Sequence, residues 1–206
     1  FAEALASLVR RPVEIPAYEP QLTAGTVKEV TEEMVLSQSK LVLGFRLGRL
    51  ETQAQQNAMR MMAAIFGGTP FSKLFLNVRE KHSLCYYCAA RYDRALSLML
   101  VDSGLSAENK DQAVQEILRQ LEEMKAGRFT DEELESTKMA LATGLRSTTD
   151  SLGAMETWYM NQILRGCAVS PEEDWQALRR VTAEEIVEAA AGVTLDTVYL
   201  LKGKEA

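Results

Sequence analysis

Apolar and polar positions recur along this chain with two different periods, and each run specifies one element. Over residues 39–47 (SKLVLGFRL), Leu41, Leu43 and Phe45 fall on one side and Val42 and Gly44 on the other, the period of two of a strand. A shorter strand is predicted before it, over 26–30. Over 51–66 the spacing lengthens: Ala54, Ala58, Met61, Met62 and Ile65 predict a helix that Gly67 closes as a C-cap. Gly67-Gly68 and Thr69-Pro70 interrupt the pattern. Leu74, Phe75 and Val78, three and four apart, then open a second helical face over 71–80. Directly after it comes a β-prone aromatic run, Leu84-Cys85-Tyr86-Tyr87-Cys88. Residues 86–93 and 95–103 predict a hairpin turning at Asp93-Arg94. The second arm (ALSLMLVDS) is apolar on both faces and reads as a central strand.

Helices dominate the rest. Val114, Ile117, Leu118 and Leu121 predict one from Ser106 to Met124, with Gly127 closing it. Three capping boxes follow, Thr130 with Glu133, Ser170 with Glu173 and Thr182 with Glu185, so helices begin near Asp131, Pro171 and Ala183. The first is long and breaks between Thr148 and Gly153 before resuming to Leu164. A last strand is predicted over 197–201 (TVYLL). This order is α+β, a single antiparallel-rich β-sheet with helices packed mainly on one face. Ahead of it, residues 1–11 read as a helix tail, and Pro12, Pro16 and Pro20 as an extended linker. The domain is therefore placed at 26–206, with 1–25 a linker or the tail of something preceding. A chain beginning at Phe1 rather than Met reads as a fragment.

Composition removes several function classes. Hydrophobic residues make up 47% and charged residues 25%, ordinary for a globular protein. A net charge of −6 argues against nucleic acid or an anionic membrane surface as partner. No apolar run approaches the ~20 residues a membrane helix needs. Three cysteines cannot all pair, which fits a reducing, cytoplasmic setting. His82 is the only histidine, whereas a zinc motif of the H-x-x-E-H kind or its inverse needs two. Any Ser-His-Asp or Cys-His arrangement would have to use the same residue. Cys85 and Cys88 form a C-x-x-C spacing. In a strand, residues three apart point to opposite faces, so these read as packing cysteines. The glutamate pairs 32–33, 122–123, 132–133 and 172–173 read as caps and solvated faces. Met59, Met61, Met62, Trp158 and Tyr159 read as core.

Residues 66–87 (FGGTPFSKLFLNVREKHSLCYY) carry the remaining chemistry. Arg79 lies near a helix end, where the macrodipole favours a cation, and Tyr86 lies in the strand that follows. A guanidinium and a phenol aimed at one spot can donate hydrogen bonds to a peptide carbonyl or to an oxyanion. The same two residues also fit a solvated cap and a packing tyrosine. The pattern G-G-x-x-x-S-[KR]-L-F, then V-R-E-K, then x-L-x-Y, resembles the second-half signature of the pitrilysin/insulinase family of zinc metallopeptidases, which includes the mitochondrial processing peptidases. The resemblance extends over roughly residues 27–201. It implies one copy of that family's repeated domain, the C-terminal half without a zinc motif. In the family two similar halves enclose a peptide-sized chamber, and zinc sits in the first. By resemblance Arg79 and Tyr86 are the substrate-facing residues, no residue here is catalytic, and no metal or cofactor is held. The implied partners are an N-terminal homologous half or partner subunit and a peptide substrate. An inactive homologue, serving as partner subunit or peptide-binding scaffold, is the alternative. One departure stands out: where the family has Gly just before L-x-Y, this chain has Ser83.

Overall fold

The period-two pattern of residues 39–47 becomes a strand at the heart of one sheet. The structure, a computed structural model, describes residues 19–164 and 166–204, with Glu3 and Ala6. The helix tail expected over 1–11 and most of the linker expected after it lie outside the described residues. The strands are β1 (Lys28–Val35), β2 (Ser39–Arg46), β3 (Tyr87–Asp93), β4 (Leu98–Leu105) and β5 (Thr194–Lys204). Their order is β1-β5-β2-β4-β3. Only β1 and β5 run parallel; the other pairs are antiparallel. In β2, Ser39, Leu41, Leu43 and Phe45 are buried while the alternate residues are half-buried. Leu43 lies between Val101 of β4 and Val198 of β5, both buried. Each such side chain contributes about 1.5–3 kcal/mol by leaving water.

The helices are α1 (Gln53–Ala63), α2 (Leu74–Lys81), α3 (Lys110–Lys125), α4 (Asp131–Thr149), α5 (Leu152–Leu164), α6 (Pro171–Leu178) and α7 (Ala183–Ala191). All three expected capping boxes form, and a fourth joins Thr52 to Gln55 at the start of α1. The long helix does break, at Asp150 and Ser151, between α4 and α5. Met59, Met61, Met62, Ile65 and Phe66 are all buried against the sheet.

Three details depart from the sequence reading. First, Gly67 is no C-cap. α1 continues as a wide π-helical turn, Ala64–Gly68, and Gly67 has no positive φ. Its missing side chain makes room for β3: a Cβ there would lie 2.6 Å from the Ala90 nitrogen and 2.8 Å from Leu74 Cδ1. Second, the hairpin turns later than Asp93-Arg94. Asp93 Oδ1 accepts from the Leu96 N–H, and Ser97 takes a left-handed φ of 48°, so β4 starts at Leu98. Third, β1 is longer than expected and exposed at every position. It is an edge strand with neither face covered, so alternation was never available to mark it. Charged residues fill that edge, and Glu33 pairs with Lys202 and Lys204 of β5.

Candidate functional site

α2 is wound wide, and its end is closed by a left-handed residue. His82 N–H bonds to Asn77 O at 3.1 Å, five residues back. Ser83 then takes φ 51°, which lets its own N–H reach Arg79 O at 3.0 Å and the Leu84 N–H reach Val78 O at 3.0 Å. A glycine adopts this backbone freely, whereas an L-residue pays about 1 kcal/mol or more. That is the physical reason a glycine suits this corner. Ser83 makes the turn nonetheless. Asn109 Nδ2 supports the corner from outside by donating to Leu84 O at 3.2 Å.

The corner brings Arg79 and Tyr86 to one open depression of about 460 Å³, lined also by Glu80, Ser83, Cys85, Ser106 and Asn109. The Arg79 side chain is 41% exposed; its guanidinium lies 4.7 Å from the Phe75 ring centroid and its Nε 3.5 Å from Glu80 Oε1. The ring and the carboxylate fix its direction and leave other N–H groups for a ligand. Tyr86 sits on a bend one residue before β3, not within it, and is 64% exposed. Its backbone is fixed, since the Tyr86 N–H donates to Gly104 O at 2.8 Å. A rigid backbone thus carries an exposed phenol at the same depression as a partly exposed guanidinium.

Cys85 and Cys88 behave as packing cysteines. Cys85 lies before the strand, where strict alternation does not apply, and packs against the core that contains Cys88. The C-x-x-C spacing was visible in the sequence; the bend was not. Tyr87, which sequence reasoning passed over, accepts from Lys40 Nζ and donates to Asp102 Oδ1, each at 3.0 Å. Trp158 behaves as packing: it rests against the core and its indole N–H donates to Val169 O at 2.8 Å. Glu133, besides capping α4, pairs with Lys73 at 3.2 Å.

Among the described residues no group of three or more His, Cys, Asp or Glu is placed to hold a metal ion, and His82 is exposed. The described residues do not suit zinc. Among the described residues, too, no helix is long and apolar enough to cross a membrane.

Comparison with known proteins agrees with this architecture. Residues 2–141 match the family model described as "Peptidase M16 inactive domain". A Bacillus subtilis (strain 168) protein named "Probable inactive metalloprotease YmfF" is 35% identical over 178 residues, which is 86% of this chain and 42% of that protein. The chain thus spans about two fifths of that curated relative. A conserved protein from Enterococcus faecalis V583 superposes with a TM-score of 0.83 at 32% identity, over 92% of this chain and 45% of the other. The peptidase M16 inactive domain from Pseudomonas fluorescens gives 0.78 at 18% identity, over all of this chain and 50% of the other, and so shares the fold. With its single α+β sheet, and without a zinc-binding group among the described residues, the chain belongs to the family of peptidase M16 inactive domains.

Proposed function

We propose that this domain is the non-catalytic half of a zinc-dependent endopeptidase, where it closes a peptide chamber and contacts the substrate through Arg79 and Tyr86. The observation that carries this is their convergence on one open depression, Tyr86 exposed and Arg79 partly so, each on a fixed backbone. In this reading the homologous half, or a partner subunit, holds zinc, which would polarise the scissile carbonyl and activate water. The Arg79 guanidinium and the Tyr86 hydroxyl donate to the peptide carbonyl as negative charge grows on it. The three free thiols fit a reducing, cytoplasmic setting.

A second reading is supported by the 35% identical relative whose name marks it as inactive. There the whole parent would bind peptide, or a partner subunit, without cleaving it. One experiment separates the two. The chain is assayed for zinc and for peptide cleavage, alone and with its homologous half. The first reading expects no stoichiometric zinc in the chain alone and cleavage only in the assembly. Stoichiometric zinc in the chain alone would refute both readings. A folded, peptide-binding assembly without cleavage would favour the second.

A further inference from the structure

A second cleft, of about 380 Å³, opens between α1, α5 and α6 and shares no lining residue with the depression at Arg79. Its floor is apolar. Ala63, Ala64, Ala90 and Leu141 line it with the ring of Trp158, whose N–H is already given to Val169 O. Polar side chains from all three helices stand around that floor. Asn57 of α1, Gln162 of α5 and Asp174 of α6 are 5%, 5% and 6% exposed. Polar groups this deep need hydrogen-bond partners, so what each has and lacks defines what the cleft would accept.

Asn57 Oδ1 accepts from Gln53 Nε2, and Gln162 Oε1 accepts from Cys167 Sγ, each at 2.8 Å. Both amide oxygens are thus taken, and neither amide nitrogen has a partner among the described residues. Arg60 gives Nη1 to Asp174 Oδ2, and Arg94 gives Nη2 to Gln53 Oε1 at 2.9 Å, so each guanidinium keeps N–H groups in reserve. The wall therefore offers donors in excess, and two guanidiniums against one carboxylate. One acceptor is left over. Gln56 Oε1 is buried without a partner among the described residues, while its Nε2 donates to Leu50 O at 3.0 Å. A buried acceptor in that state costs stability until an N–H reaches it.

We propose that this cleft binds a short apolar peptide, of about dipeptide size, by its free C-terminal carboxylate. A carboxylate is an acceptor only, and it answers the surplus of guanidinium and amide donors with charge-assisted hydrogen bonds. The last peptide N–H supplies the donor that Gln56 Oε1 lacks. The last side chain covers the floor of Leu141 and Trp158. The volume lies within the range of about 300–1,000 Å³ usual for small-molecule sites, and an apolar floor with a few convergent polar groups is their usual make-up. A simple inorganic anion would meet the guanidiniums but leave the floor uncovered. Binding here requires neither Arg79 nor Tyr86, and so does not rest on the function proposed above.

The test is calorimetric titration of the full chain near neutral pH and at low salt, with the dipeptide Ala-Leu as probe. Saturable binding of one dipeptide per chain is expected. N-acetyl-leucinamide lacks the carboxylate and isocaproate lacks the N–H, and each should bind at least about tenfold more weakly. Arg94→Gln and Gln56→Leu should weaken Ala-Leu by a similar factor while melting near wild type. Should Gln56→Leu fail to fold, Arg94→Gln decides alone. Arg79→Ala should bind Ala-Leu as wild type does, which separates this cleft from the other depression. No saturable binding, equal binding of either analogue, unchanged affinity in a folded cleft variant, or loss of binding in Arg79→Ala would each overturn the proposal.

Discussion

Replacing Gly67 by alanine is the sharpest test of how the site is positioned. The added methyl would meet the Ala90 nitrogen at 2.6 Å, the Ala90 Cβ at 2.7 Å and Leu74 Cδ1 at 2.8 Å. Ordinary contact begins near ~3.4 Å, so β3 and the π-helical turn must part by roughly 0.8 Å or strain in place. Neither side yields easily. β3 is hydrogen-bonded to β4 along its seven residues, and Ile65 and Phe66 are locked in the core. Overpacking of this kind costs about 1–3 kcal/mol, and in a domain of this size lowers the melting temperature by about 2–4 °C for each kcal/mol. Gly68→Ala is the internal comparison. Its Cβ meets Ala63 O at 3.4 Å and Ala64 Cβ at 3.5 Å, which asks for little movement. At Gly144, in α4, nothing lies within 4 Å, and alanine should stabilise by about 0.5–1 kcal/mol through helix propensity. Urea unfolding of the three variants should rank Gly144→Ala above wild type, Gly68→Ala near it and Gly67→Ala well below. If the pair served only to break a helix, Gly67 and Gly68 would behave alike. Equal midpoints for those two variants would refute the close-approach argument.

Other outcomes follow from the same structure. Ser83→Gly should raise stability by up to about 1 kcal/mol and Ser83→Val should lower it by about 2 kcal/mol, because φ 51° suits glycine and excludes a β-branched residue; thermal melts decide. Arg60→Ala leaves Asp174, 7% exposed, without its ion-pair partner; a loss of about 2 kcal/mol in urea unfolding is expected, and an unchanged midpoint would contradict it. Glu33, Glu116 and Asp196 are held below the usual carboxylate range, chiefly by hydrogen bonds from Lys204, Arg119 and Thr197 respectively. Depressed carboxylates add stability that is present above the unfolded value and lost as pH falls through the folded one. Stability should therefore hold from neutral pH down to about 5 and decline below about 4. Glu116→Gln should shrink that decline.

The sheet, its central strands and the capped helices were legible because they are buried on one side or begin with hydroxyl and glutamate pairs. Leu41, Leu43 and Phe45 marked β2, and Thr130, Ser170 and Thr182 marked three helix starts. The edge strand β1 was poorly legible because no face of it is covered. Gly67 misled because one residue type serves two ends, release of the backbone and omission of a Cβ; only the position of Ala90 tells them apart. At the site, Arg79 and Tyr86 were named by resemblance to the family's motif, since spacing alone fits a solvated cap and a packing tyrosine equally; both line one depression. That Cys85 and Tyr86 precede β3 could not be read, because the β-prone run has no break to mark where the strand begins. The left-handed turn at Ser83 had a signal, since it falls where glycine occurs in the resembling family.

The central claim is that Arg79 and Tyr86 serve the substrate and not the fold. The direct measurement is kcat, together with melting temperature, for Arg79→Ala, Tyr86→Phe and the double variant, each assembled with the zinc-bearing half. With Tyr86 exposed and the Arg79 side chain 41% exposed, melting temperatures should change little, by an amount corresponding to about 0.5 kcal/mol or less. Each single variant should lose on the order of a hundredfold in kcat, and the double variant less than the product of the two, because both donors serve one carbonyl. Wild-type kcat in folded variants, or a lowered melting temperature with unchanged turnover per folded molecule, would contradict the account.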